Sequence, residues 1–205
     1  ANGHWSDVGG LVPGSFDVKA REHFGEGLRI TPVRIWANGT FKADIARFIV
    51  GNTRAPQDNL SDLNAQVEAT RVCEREVLRL VGRYGKDVVT TAFREVIGHA
   101  GNLLRARVAA LPDGTWTTTD FLDGDPARGD GLIPINVTLT IDGDRLRYDL
   151  SQSAPAVSTF MNATYGSTLS GLLAGTKHFF PDVPVNAGLY QAIDVVLGQI
   201  GRAHV

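Results

Sequence analysis

Two long apolar periodicities in the middle of the chain limit its fold more than any other feature. Leu60, Leu63, Val67, Cys73, Val77, Leu80, Val81 and Tyr84 recur at spacings near three and four. The same holds for Val88, Val89, Ala92, Phe93, Val96, Ile97, Leu103, Leu104, Val108 and Leu111. Side chains at that spacing share one helical face. Gly85 stops the first run, and Pro112-Asp113-Gly114 stops the second. With only Gly85-Lys86-Asp87 between them, the two runs predict an antiparallel helical hairpin. After the hairpin the period drops to two. "TWTTTDFL" (Thr115–Leu122) and "PINVTLTI" (Pro134–Ile141) read as strands, and "RLRYDL" (Arg145–Leu150) pairs with the second across Asp142-Gly143-Asp144. "DGDPARGDG" (Asp123–Gly131) is a loop by composition. A helix over Ala163–Phe180 and a strand over Ala192–Leu197 complete this half. Helices first and antiparallel strands after predict an α+β fold rather than a repeating βαβ plan.

The first 35 residues are Gly-rich and aperiodic, with a strand-like piece at "RITPVRIW" (Arg29–Trp36). "ANGT" (Ala37–Thr40) reads as a turn because Asn-Gly tolerates positive φ. A short helix over Lys42–Val50 follows, with Ile45, Phe48 and Ile49 on one face. No internal repeat or low-complexity stretch is visible.

Composition narrows the function classes. At 205 residues and 43% hydrophobic content the chain has enough apolar mass for a core. Charged residues make up 20% and the net charge is −2, with no run of one sign. Nucleic acid and anionic membrane both call for a concentrated basic surface, so neither is an expected partner. No apolar run approaches the roughly 20 residues of a membrane-spanning helix. The single Cys73 has no intramolecular disulfide partner, and one thiol fits the reducing cytoplasm.

The opening "ANGHWSDVGGLVPGSF" places His4 and Asp7 three residues apart beside Gly9-Gly10. An imidazole nitrogen and a carboxylate oxygen so spaced bind one divalent cation if the backbone turns between them. A plain hydrogen-bonded pair or a helix cap is the alternative. His23 and Glu26 in "EHFGEGLR" (Glu22–Arg29) are further donors. Ser6 and Ser15 lie outside any G-x-S-x-G elbow, and Gly9-Gly10 lacks the spacing of a phosphate loop, so nothing here holds ATP. Cys73 falls on the apolar side of its helix and reads as an inert core thiol. Asn186 in "FPDVPVNAG" (Phe180–Gly188) reads as part of a structural turn.

"GHWSDVGGLVPGSF" followed by "EGLRITPVRIW" resembles the conserved half of the hydantoinase B family. The resemblance continues in order through "NTRAPQDNLSDLNAQVEATRVCEREVLRLVGRYG", "ALPDGTWTTTDFLDGD", "VTLTIDGDRLRYDLSQSAPAV", "MNATYGST" and "FPDVPVNAGLYQAIDVV". That family includes second subunits of ATP-dependent N-methylhydantoinases, the matching part of 5-oxoprolinases, and acetone and acetophenone carboxylase subunits. The resemblance implies a two-part, hetero-oligomeric enzyme. A hydantoinase A-type, actin-like partner would bind ATP and phosphorylate the substrate's carbonyl oxygen, and this chain would complete ring opening of a hydantoin or 5-oxoproline. Ketone carboxylation on the same fold is the alternative, and a non-catalytic scaffold subunit is the alternative of another class. The resemblance further implies a divalent ion, whether Zn, Mn or Fe, held by His4 and Asp7 as the catalytic pair. Glu26 is the expected third ligand and His23 the second choice. Asn162 and Asn186 stand in family-typical blocks and are expected either to line the substrate cavity or to hold turns.

Family members are longer at both ends, so residues 1–198 read as an internal fragment of a hydantoinase B domain. Residues 199–205 read differently. The DNA string AGATCGGAAGAGCACACGTC of a common sequencing-library adapter, its first two letters closing a Gln codon, translates as Ile-Gly-Arg-Ala-His-Val. Ile200–Val205 are therefore expected to be untemplated, together with the end of the Gln199 codon.

Overall fold

The computed structural model describes residues 3–17, 19–20, 22–124, 131–157 and 161–198. The tail 199–205 and most of the expected loop Asp123–Gly131 lie outside the described residues. The chain forms two compact units, Ala1–Gly85 and Lys86–Val205.

In the first unit a Gly-rich segment precedes a small hairpin, β1 (Trp36–Ala37) and β2 (Thr40–Phe41). Asn38 and Gly39 connect them with φ of 51° and 74°, the left-handed pair that matches strand twist in a two-residue turn. The expected strand over Arg29–Trp36 shrinks to its last residue. Residues 29–34 are exposed and Pro32 has no N–H to give a ladder, so only Ile35 extends the pairing, accepting from the Lys42 N–H at 2.8 Å. Helix α1 (Ala43–Val50) buries Ala46, Ile49 and Val50. Phe48, expected on the buried face, is 74% exposed.

Helix α2 (Pro56–Tyr84) starts with Pro at its first position, where the missing N–H costs nothing, and carries Asp58 at the positive end of its dipole. It ends at Gly85, which takes φ 84° and donates its N–H to the Val81 carbonyl. Within the unit α2 packs on α1. Burial is confined to its start, at Asn59 and Leu63. Cys73 is exposed rather than a core thiol, while Val67, Val77, Leu80 and Val81 of the same stripe are half-buried.

The second unit begins with helix α3 (Lys86–Val108). Both helices of the expected hairpin are present, and the division of the chain into units falls between them at Gly85. Strands β3 (Gly114–Leu122), β4 (Ile133–Asp142) and β5 (Arg145–Asp149) form an antiparallel meander. Helix α4 (Tyr165–Phe179) and a 3-10 helix (Ala187–Ala192) then lead to β6 (Ile193–Val196). The sheet order is β3-β4-β5-β6, and β6 runs parallel to β5, so the sheet is mixed rather than wholly antiparallel. A parallel neighbour needs a long crossover, which α4 and the 3-10 helix supply.

The core of this unit joins Leu104 and Val108 of α3 to Ile141, Leu146 and Ile193 of the sheet, closed by Val183, Leu189 and Ala192. Two glycines let the layers meet. A Cβ on Gly188 would press on the Ile97 carbonyl oxygen and lie 2.8 Å from the Gly101 nitrogen, so the 3-10 helix touches α3 backbone to backbone. The opposite face of β3 and β4 carries polar rungs, Thr115 to Thr140 at 3.2 Å and Thr117 to Thr138 at 3.1 Å, the expected solvent side of an alternating strand. Among the described residues no helix is long and apolar enough to cross a membrane.

Candidate functional site

The segment carrying His4 and Asp7 has no regular structure, but the first unit ties it down residue by residue. Trp5 Nε1 donates to Gln66 Oε1 at 3.0 Å, and Asn59 Nδ2 donates to the Ser6 carbonyl at 2.9 Å. Gln66 and Asn59 stand two helical turns apart on one face of α2, so the segment runs back along the helix toward its start. There the Arg54 N–H donates to the Asp7 carbonyl at 3.1 Å.

Asp7 itself takes the left-handed conformation, with φ 44°, uncommon outside glycine and tolerated best by Asp and Asn. That turn aims its carboxylate back into the loop that follows. Oδ2 accepts from the Gly14 N–H at 2.9 Å and Oδ1 from Arg54 Nη1 at 2.8 Å. The Ser15 hydroxyl, 2.6 Å from the Gly9 carbonyl and 3.3 Å from Oδ1, has one proton to share between them. Arg54 Nη1 also reaches the carbonyls of Val12 at 2.8 Å and Gly9 at 3.1 Å, and Nη2 that of Gly10 at 2.8 Å. The Gly14 amide foremost, and then the Arg54 guanidinium, hold the Asp7 carboxyl below its ordinary value of 3.8.

A second stretch lies alongside. The Leu28 N–H donates to the Val8 carbonyl at 2.8 Å and the Leu11 N–H to that of Gly25 at 3.1 Å, which brings Glu26 next to Gly10. Gly10 has φ 85°, and a Cβ there would lie 2.8 Å from the Gly25 oxygen and 2.9 Å from that of Glu26, so glycine alone fits. His23 stacks on Phe24 at 4.2 Å between ring centroids, and its Nε2 lies 3.0 Å from Arg29 Nη1. A guanidinium only donates, so Nε2 is the acceptor and the ring proton is on Nδ1. His4 is exposed.

These placements do not assemble the expected ligand set. Among the described residues no three His, Cys, Asp or Glu side chains converge as a cation's ligands would. The Asp7 oxygens face N–H and O–H donors, and a guanidinium stands 2.8 Å from one of them. The Nε2 lone pair of His23 points at Arg29. The groups that meet the Asp7 carboxylate are the Gly14 N–H and Ser15 hydroxyl of its own loop and the guanidinium of Arg54, two residues before α2.

In the second unit, Asn162 lines a cavity of about 350 Å³ walled by Ile135, Val137, Leu150, Val157 and Leu172. Its side chain spans the backbone of Val157, accepting from the N–H at 2.8 Å and donating to the carbonyl at 2.6 Å. Asn186 caps the 3-10 helix, with Oδ1 accepting from the Gly188 N–H at 2.7 Å, and Nδ2 reaches the Val96 carbonyl at 3.1 Å. Both asparagines hold backbone in place, and Asn162 does so at the wall of an apolar cavity of ligand size.

Arg54, Asn59 and Gln66 are the residues sequence reasoning missed. Asn59 left a signal, a polar side chain beside Leu60 and Leu63 on the buried start of a helix. Arg54 left none, since its partners are backbone carbonyls more than 40 residues away.

Comparison with known proteins places the chain. The model of the hydantoinase B/oxoprolinase family matches residues 1–201. The chain is 37% identical over 200 residues to caprolactamase subunit beta of Pseudomonas jessenii, covering 97% of this chain and 34% of that protein. It is 27% identical over 198 residues to the acetophenone carboxylase delta subunit of Aromatoleum aromaticum, covering 96% of this chain and 29% of that one. The structure of ATP-dependent caprolactamase from Pseudomonas jessenii superposes with a TM-score of 0.87 at 34% identity, over 99% of this chain and 36% of that chain. The chain thus spans about a third of the length of these relatives, both of which are named as subunits. By this match over nearly its whole length, the chain belongs to the hydantoinase B/oxoprolinase family.

Proposed function

We propose that the protein containing this chain opens a cyclic amide in an ATP-coupled reaction shared with a second, actin-like subunit. The observation that supports it is the 37% identity to caprolactamase subunit beta across 97% of the chain. A ring amide is a poor electrophile, because nitrogen donation into the carbonyl protects it and the amine is a poor leaving group. Phosphorylating the carbonyl oxygen removes that resonance and installs a leaving group. One water then adds at carbon and the C–N bond breaks, leaving an acyl phosphate with the nitrogen freed, and a second water cleaves the acyl phosphate to phosphate and the open-chain acid. No phosphate-binding loop motif occurs in this sequence, so ATP and the phosphorylation step are assigned to the partner.

This chain's own contribution is a shaped backbone. The loop from Ser6 to Ser15 is fixed by Arg54 and Asp7, and the exposed imidazole of His4 stands two residues before it. His4 is proposed as a proton-transfer group or as one donor to a divalent ion, with Asp7 and Glu26 as the other donors this chain would offer. The apolar cavity beside Asn162 is proposed to receive the methylene part of the ring.

The test uses the full-length protein with its actin-like partner, offered caprolactam, 5-oxoproline and hydantoin. ATP-dependent release of the ring-opened product is expected, with turnover lost in His4→Ala. The identity to a carboxylase delta subunit favours the second reading, ketone carboxylation. Bicarbonate-dependent consumption of a ketone with no ring opening would establish that reading and overturn ours. Metal analysis of the wild-type and His4→Ala proteins, with no difference in content, would remove the metal role of His4.

A further inference from the structure

Four acceptors in the first unit converge on one planar cation. The Asp7 carboxylate and the carbonyls of Gly9, Gly10 and Val12 lie 2.8 to 3.1 Å from the two terminal nitrogens of Arg54. Three of the four are backbone oxygens of one short loop, which turns sharply at Gly9 and Gly10. Gly9, Gly10 and Gly14 have φ of 103°, 85° and 84°, open to glycine alone, while Asp7 and Ser15 take 44° and 58°, where a side chain is strained. Two side-chain-bearing residues, Asp7 and Ser15, hold the left-handed conformation at either end of this loop against their local preference. Something has to reward the carbonyls for facing one point, and the described residue at that point is Arg54.

We propose that this loop is a guanidinium-binding site whose resident ligand is the side chain of Arg54. Arg54 is then the positioning residue of the segment that carries His4. Asp7 serves as the anionic wall of that site. The shape argues for a guanidinium rather than a point charge. The two protons of Nη1 are shared among Asp7, Gly9 and Val12 while Nη2 donates to Gly10, so the loop is engaged by two separate nitrogens, a fork that a single ammonium or metal ion does not present. The Arg54 side chain is 38% exposed, so a free guanidinium ion can reach the site once the side chain is removed.

The consequence for turnover rests on the function proposed above, but the binding claim does not, and its test needs no activity. Trp5 hangs on the same segment through its bond to Gln66, so its fluorescence reports the loop. In the full-length protein every other tryptophan, Trp36 and Trp116 of these 205 residues included, is replaced by Phe to isolate it. In this background Arg54→Ala is expected to shift the Trp5 emission and to lower the melting midpoint. Guanidinium chloride in the tens of millimolar, a concentration set well below the molar range that unfolds proteins, should restore the emission saturably and raise the midpoint by about 2–4 °C. Wild type should show no gain, NaCl at equal ionic strength should do nothing, and Asp7→Ala combined with Arg54→Ala should abolish the response.

An Arg54→Ala protein with unchanged Trp5 emission overturns the proposal, as does a shifted one that guanidinium leaves unrestored. Equal restoration by NaCl or by calcium overturns the selectivity for a guanidinium. Should Arg54→Ala not fold, Arg54→Lys decides. Its single ammonium cannot span the fork, so its Trp5 emission is expected to depart from wild type, and a spectrum identical to wild type refutes the site. Failure of the ring-opening assay would leave each of these readouts standing.

Discussion

Asp7 Oδ1 accepts from Arg54 Nη1 at 2.8 Å across 47 residues of sequence, and this ion pair closes the N-terminal loop onto the start of α2. The sign of its pH dependence follows from the direction of the carboxyl shift. The folded protein holds Asp7 below 3.8, so its contribution is complete above that value and is lost as pH falls through the lower, folded one. Melting midpoints of wild type and Asp7→Asn, followed from neutral pH down to about pH 2, should differ most at neutral pH and converge at the acid end. Asn keeps the left-handed backbone accessible, which isolates the charge from the turn. A difference that persists unchanged at the acid end would show that the charge plays no part.

Asn59 is fully buried, and its Nδ2 serves the Ser6 carbonyl while its Oδ1 has no partner among the described residues. Asn59→Ala removes that orphaned oxygen but strands the Ser6 carbonyl, so the two effects oppose each other. The net loss in urea unfolding is expected to be about 1 kcal/mol. Asn59→Asp should cost more, about 3 kcal/mol or above, because a carboxylate takes the place of the donor and turns toward a carbonyl. Equal losses for the two variants would mean that the bond to Ser6 is unimportant.

The legible part of this fold is the part governed by period. Helix α4 and strands β3, β4 and β5 fall within two residues of the patterns that announce them and α3 within three, because alternation and 3.6-residue spacing act over many positions at once. The Asn38-Gly39 turn was equally legible, since two residues fix its φ values. What the pattern could not say is which apolar stripe is covered. Cys73 and Phe48 sit at spacings indistinguishable from those of Leu63 and Ile49, yet the first pair is exposed and the second buried. The direction of β6 was hidden for a similar reason, since a strand of four residues carries no mark of its neighbour. At the candidate site His4, Asp7 and Glu26 were visible as chemistry, while the partner of Asp7 was not, because Arg54 meets it through tertiary folding alone.

Gly101 and Gly188 test the backbone contact between α3 and the 3-10 helix. A methyl group on Gly188 meets the Ile97 carbonyl and the Gly101 nitrogen, neither of which can swing aside as a flexible side chain would. Gly188→Ala should therefore destabilise the chain by about 3 kcal/mol, the upper range for overpacking. Gly101→Ala should cost somewhat less, at about 1–2 kcal/mol. Its new Cβ would lie 3.0 Å from the Gly188 oxygen, and its other close neighbour is the movable end of Gln191. Thermal and urea unfolding measure both, and an unchanged Gly188→Ala midpoint would contradict the close approach.

The parallel pairing of β5 with β6 carries its own electrostatic clip, and it is the weakest of the contacts tested. Arg145 grips Asp194 through Nε at 2.9 Å and Nη2 at 2.7 Å, a two-point fork that holds the Asp194 carboxyl below its ordinary value. Both side chains are about half exposed, so water screens the pair and competes for each partner. A double-mutant cycle with Arg145→Ala and Asp194→Ala should give a coupling of only about 0.5–1 kcal/mol, shrinking as salt shortens the reach of charge. Arg145→Ala alone should cost more than the coupling, because Nη1 also donates to the Gln191 carbonyl at 3.3 Å. A coupling of several kcal/mol, or one indifferent to salt, would show that the clip is drier and stronger than its exposure implies.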